Sequence, residues 1–129
     1  MPHSNQNFIT TINCMDGRVQ LPVINYLRKK YQAEYVDMIT EAGPVKILAD
    51  GIEKDIIRDI KKRLIISSRR HGSKRLAIVA HYDCAGNPVS KEQQVVDLNN
   101  SIQLIKKWKL FPEIIGLWVD QNWKVGPSN

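Results

Sequence analysis

The residues able to do chemistry fall in two short stretches far apart in the chain. "NCMDGRVQLP" (13–22) sets Cys14, Asp16 and Arg18 at alternate positions, and "HYDC" (81–84) supplies His81 and Cys84. Two thiolates and one imidazole form a zinc donor set, with sulfur bonds of about 2.3 Å and nitrogen bonds of about 2.0 Å. A His-x-x-Cys loop can wrap two ligands onto one tetrahedral ion while a third arrives from a separate strand. Three protein ligands leave a fourth position for water or substrate, as in catalytic rather than structural sites. Zinc lowers the pKa of a bound water to about 7, so hydroxide becomes available at neutral pH. Asp16 can accept a hydrogen bond from that group and aim its lone pair. Arg18, as a bidentate partner, would keep Asp16 ionised and oriented. Alternatively, Asp16 could swing in as a fourth ligand and close the site.

Other uses of these residues are weaker. A cysteine phosphatase needs five residues between its cysteine and arginine, whereas three separate Cys14 from Arg18. A lone cysteine at a strand end is usually a small buried hydrophobe, and an exposed Asp–Arg pair contributes little to stability. The joint occurrence of all five residues argues for a site. No Gly-x-Gly-x-x-Gly or Walker pattern supports nucleotide binding. His3 and His71 have no matching partners and read as exposed. Asp83 reads as a loop hydrogen-bonder, and Trp108, Trp118 and Trp123 as packing or interface residues.

The elements that must position the site follow from period and length. "FITTIN" (8–13) is a short strand, followed by a helix near 20–31 with Pro22 in its first turn and Leu21, Ile24, Leu27 and Tyr31 along one face. "EYVDMIT" (34–40) alternates and is rich in strand formers. "EAGP" (41–44) is punctuation, after which Ile52, Ile56, Ile60 and Leu64 mark an amphipathic helix. "RLAIVAH" (75–81) suits a buried parallel strand. A further helix carries Val95, Leu98, Ile102, Ile105 and Trp108. "EIIGLWVD" (113–120) is the last strand, and "QNWKVGPSN" a polar tail.

Strands alternating with helices predict an α/β fold with a mainly parallel four-stranded sheet and helices on both faces. In such sheets ligands bind beyond the carboxyl ends of the strands, where the strand order reverses. With the order 2-1-3-4, the first and third strands are neighbours at that point. The first ends at Cys14 and the third at His81.

Composition bounds the rest. The 129 residues fit one domain, 1–129, and 43% hydrophobic with 25% charged residues excludes general disorder. No apolar run approaches 18 residues, so no spanning helix is expected. "MPHSNQN" has no secretory pattern, which predicts a cytoplasmic protein. In a reducing cytosol, Cys14 and Cys84 suit metal or chemistry better than a disulfide. The net charge is +6, with a basic stripe between Arg58 and Arg75. Such a stripe could neutralise nucleic-acid phosphates, but it lacks interleaved aromatics and reads as a solvated helix face.

"CMDGR" followed by "HYDC" closely resembles the β-class carbonic anhydrases, whose pattern is Cys-x-Asp-x-Arg and later His-x-x-Cys. "EAG" (41–43) is similar to that family's Asn-Ala-Gly turn, and "IIGLWVD" (114–120) to its final core strand. The resemblance implies a zinc lyase, with Zn2+ on Cys14, His81 and Cys84 and a catalytic dyad of Asp16 and Arg18. It implies reversible hydration of carbon dioxide to bicarbonate by zinc-bound hydroxide. It further implies a homodimer or higher homo-oligomer with sites near the subunit interface.

Departures from the pattern are Gly17 for serine or alanine, Pro44 after the turn, and Ala85 where glycine is common, with Gly86 next. The chain also lacks the N-terminal arm and C-terminal helices of larger members. That leaves the pocket's apolar wall unassigned and Gln6 as a loose candidate for its amide helper. Two alternatives share the site: a zinc hydrolase of carbonyl sulfide or carbon disulfide, and a non-catalytic zinc-binding or regulatory protein with Asp16 on the metal.

Overall fold

The first strand, β1 (Phe8–Cys14), is buried from Ile9 onward, as expected of a strand covered on both faces. In the computed structural model, which describes residues 7–128, β1 lies second from one edge of a five-stranded sheet. The remaining strands are β2 (Tyr35–Glu41), β3 (Arg75–His81), β4 (Glu113–Val119) and β5 (Val125–Pro127). The order is β2-β1-β3-β4-β5, with the first four strands parallel and β5 antiparallel to β4. The expected 2-1-3-4 core is present.

Helices α1 (Gln20–Tyr31), α2 (Pro44–Asp50), α3 (Lys54–Ile65) and α4 (Lys91–Lys106) make the crossovers. Side chains of β3 divide between two cores, as a period of two requires. Leu76, Ile78 and Ala80 pack with residues of α2, α3 and α4 such as Leu48, Leu64 and Leu98. Ala77 and Val79 pack on the other face with Val23 and Leu27 of α1. Among the described residues no helix is long and apolar enough to cross a membrane.

Four expectations need correction. "EAGP" is punctuation, as expected, and a short one: Gly43 takes a left-handed φ of 64° and Pro44 begins α2 at once, the first-turn position that suits a residue without an N–H. Gly51, at φ 68°, then ends α2 and donates its N–H to Ile47 O. Ile52 therefore belongs to no helix stripe; it sits in the link to α3 and is 76% exposed.

The polar tail is also structured. Asp120 Oδ1 accepts the N–H groups of Asn122 (2.8 Å) and Lys124 (3.0 Å), turning the chain so that β5 adds a fifth strand to the sheet. Trp108 lies just beyond the end of α4. Lastly, His71 is not solitary. Its Nδ1 lies 2.6 Å from Asp37 Oδ2, and its ring stacks on Phe8. His3 and Gln6 lie outside the described residues.

Candidate metal centre

The chain leaves β1 at Cys14 and β3 at His81, and these strands are hydrogen-bonded neighbours. A turn after His81 then folds Cys84 back toward both. The ligand atoms of Cys14, His81 and Cys84 all lie within 4.8 Å of one another, and all three side chains are buried. The two sulfurs are 3.9 Å apart. Tetrahedral bonds of about 2.3 Å to one ion place two sulfurs about 3.8 Å apart, so the pair has the spacing of a shared zinc.

The imidazole supplies the second test of fit. His81 Nδ1 lies 2.7 Å from the Tyr82 carbonyl, which assigns the ring proton to Nδ1 and leaves the Nε2 lone pair free. Nε2 is buried and, among the described residues, has no hydrogen-bond partner. Such an orphan costs about 1–3 kcal/mol unless something satisfies it. A cation between Nε2 and the two sulfurs would do so, and a buried histidine oriented through its other nitrogen is the usual metal-binding arrangement.

The thiols share a proton unequally. Hydrogen bonding from Cys84 outweighs burial and draws the Cys14 thiol down to about 4, helped by His81 and the backbone N–H groups of Gly43 and Asp16. The same proton, together with burial, pushes Cys84 well above the ordinary thiol range. Burial is the largest influence on His81 and opposes its charged form, but Cys14 and the Tyr82 carbonyl outweigh it and raise the imidazole. One negative sulfur beside one shared proton is a site that a dication can enter by displacing that proton.

Asp16 stands outside this donor cluster, held by Arg18. Arg18 Nη2 donates to Asp16 Oδ2 at 2.6 Å, Nε donates to Oδ1 at 3.0 Å, and the Arg18 backbone N–H donates to Oδ1 at 2.9 Å. These bonds hold the Asp16 carboxyl down at about 2 and raise the Arg18 guanidinium. Arg18 is itself held on its other side. Asp83, expected to serve its own loop, accepts from Nη1 through its carboxylate (3.3 Å) and from Nη2 through its carbonyl (3.1 Å). The Trp123 ring lies 4.4 Å from the guanidinium carbon, within the range of cation–π attraction.

Several supporting residues escape a reading of the sequence. Gln94 of α4 is 2% exposed. Its Nε2 donates to His81 O at 2.8 Å and its Oε1 accepts the His81 N–H at 3.3 Å. Gln94 and Ser101 lie on one buried stripe with Leu98 and Ile105; polar residues at core-facing helical spacing were the available signal. Gln20 Nε2 donates to the carbonyls of Cys14 (2.7 Å) and Asp16 (3.0 Å). Asn87, also buried, donates its N–H to Cys84 O at 3.2 Å and its side-chain amide to Asp97 at 3.0 Å. Gly43 and Gly86 bring two backbones into direct contact beside the cluster, a juxtaposition no local pattern announces.

A family profile described as "Putative carbonic anhydrase" matches residues 4–128. The chain belongs to this carbonic anhydrase family. None of the curated proteins compared with the sequence matches it. Solved structures show that the fold is that of the β class. β-carbonic anhydrase isoform I from the protozoan Trichomonas vaginalis superposes with a TM-score of 0.62 at 17% identity, over 93% of this chain and 81% of that one. A carbonic anhydrase from Glaciozyma antarctica gives 0.60 at 17% identity over the same shares. The apo form of a carbon disulfide hydrolase gives 0.52 at 14% identity, over 97% of this chain and 79% of that one. In this carbonic anhydrase-like chain the five residues singled out by type and spacing lie at one end of the sheet, three as a donor cluster and two as an adjoining ion pair.

Proposed function

We propose that the protein is a zinc lyase interconverting carbon dioxide and bicarbonate, with Cys14, His81 and Cys84 holding the metal and Asp16 and Arg18 serving the reaction. The observation that carries the reading is the locked Asp16–Arg18 pair beside a set of three donors rather than four. Zinc, when bound, supplies Lewis acidity that makes water nucleophilic near neutral pH.

The protein's own groups do the rest. Asp16, ionised down to about pH 2, remains a hydrogen-bond acceptor across the physiological range. It is therefore too weak a base to take up a proton at neutral pH, and its work is orientation. Arg18 keeps that carboxylate from turning inward, and Asp83 and Trp123 keep Arg18 in place. Gln94 sets the backbone of His81, and the Tyr82 carbonyl sets its ring. The same reading has the protein acting in the cytoplasm as a homodimer or higher homo-oligomer.

The likeness to the carbon disulfide hydrolase favours a second reading, hydrolysis of carbon disulfide or carbonyl sulfide, equally linear electrophiles at the same centre. Stopped-flow carbon dioxide hydration, run beside sulfide release from carbon disulfide on zinc-loaded protein, separates the two. Zinc-loaded protein silent in both assays would assign the centre to a non-catalytic role.

A further inference from the structure

We infer that the cleft between α3 and α4, remote in the sequence from every residue of the metal centre, binds a small apolar carboxylate. The cleft exists because α4 packs closely along α2 while α3 leans away from it. The opening has a volume of about 620 Å³, which falls in the range of small-molecule sites. Its floor is the outer layer of the core: Leu48 of α2, Ile57 of α3, Leu104 of α4 and the ring of Trp108.

Its rim is cationic. Lys54, Arg58 and Lys61 follow one face of α3, Lys107 faces them from the end of α4, and among the described residues no acid lines the cleft. Arg58 is shared with Asp55 at 2.9 Å. Lys61 is held over the Trp108 ring, with Nζ 5.3 Å from its centroid, so one charge already lies above the apolar floor. The amides of Asn100 and Gln103 add neutral donors. An apolar body on the floor with one carboxylate at the rim satisfies both halves of this surface.

The fold breaks up the basic stripe of the sequence. Arg63 turns to Glu41 (2.7 Å) and Asp59 (3.3 Å), and Arg75 turns to Glu113 (2.6 Å). These pairs interrupt the stripe, and of its cations Arg58 and Lys61 line the cleft. A single tryptophan there offers no row of stacking platforms for bases.

The test titrates decanoate into the zinc-loaded, nitrogen-15-labelled full chain and follows the three tryptophan indole signals, with Trp108→Phe making the assignment. We expect a saturable shift of the Trp108 signal. The Lys61→Gln/Lys107→Gln variant, which removes the ammonium over the Trp108 ring and the one facing it from α4, should bind roughly tenfold more weakly, and decanol should bind wild type more weakly than decanoate does. Shifts confined to Trp118 and Trp123 would mean that carboxylates bind near the metal centre instead, and would overturn the proposal. So would unchanged affinity in the double variant, or displacement of decanoate from Trp108 by duplex DNA. The inference does not depend on the proposed catalytic activity.

Discussion

Gly86→Ala should damage the metal centre without touching a metal-binding side chain. A Cβ at Gly86 would lie 2.4 Å from the Ala42 carbonyl carbon, 2.6 Å from Gly43 N and 2.7 Å from Ala42 O. The first is about 1 Å inside ordinary van der Waals contact, and all three atoms are backbone, so no side chain can swing aside. Relief requires the Cys84 turn to move away from the Ala42–Gly43 turn by several tenths of an ångström or more. Metal sites tolerate about 0.2 Å in a bond length, and the Gly86 N–H that bonds to Cys84 would move with the turn. Overpacking of this kind costs about 1–3 kcal/mol, a fall in melting temperature of roughly 3–12 °C for a domain of this size. Zinc affinity, measured against a chromophoric chelator, should fall about 10- to 100-fold, as when groups supporting a metal ligand are lost. Gly17→Ala is the control: nothing lies within 4 Å of its Cβ, so stability should stay within about 0.5 kcal/mol. A Gly86→Ala protein that melts with wild type and binds zinc as tightly would refute the argument that backbone contact sets the position of Cys84.

Cys84→Ser should abolish the stoichiometric zinc expected in wild type, about one ion per chain, read by elemental analysis of purified protein. Gln94→Leu strands the buried N–H and C=O of His81 together, at roughly 2–6 kcal/mol on a cost of about 1–3 kcal/mol for each stranded group; urea unfolding of the metal-free protein measures it. Asp16 has a folded pKa near 2 against an ordinary 3.8. Its depressed value contributes stability that is present above the unfolded value and lost as pH falls through the folded one. The stability difference between wild type and Asp16→Asn should therefore be constant above about pH 5 and shrink between pH 4 and 2. In metal-free protein, thiolate absorbance near 240 nm should persist at pH 6, because Cys14 ionises at about 4 while Cys84 retains its proton.

Much of the sheet is legible from local pattern. "RLAIVAH" suits a buried parallel strand and "FITTIN" a short strand, and parallel strands joined by helices leave few orders to choose from. The helix over 20–31 was equally clear. Misreadings came where backbone conformation decides. Ile52 continued an apolar period in sequence, yet the left-handed turn at Gly51 broke it. "QNWKVGPSN" looked like a tail because its Gly and Pro are turn residues, while its pairing with β4 is a contact the pattern does not contain. His71 seemed unpartnered because Asp37 lies 34 positions away.

The amino-acid sequence by itself determined which groups are the candidates for chemistry. Two cysteines, a histidine and an Asp–Arg pair are rare enough together, and near enough to predicted strand ends, to name the centre. Only the tertiary structure decided its geometry. Three donors within 4.8 Å, the free Nε2 of His81 and the clamp of Gln94 on its backbone arise where β1, β3 and α4 meet. The hold of Trp123 on Arg18 arises where the chain turns back beyond β4. The reason is physical: the identity of a donor is local to its residue, whereas its distance from another donor is set by the packing of elements remote in the chain.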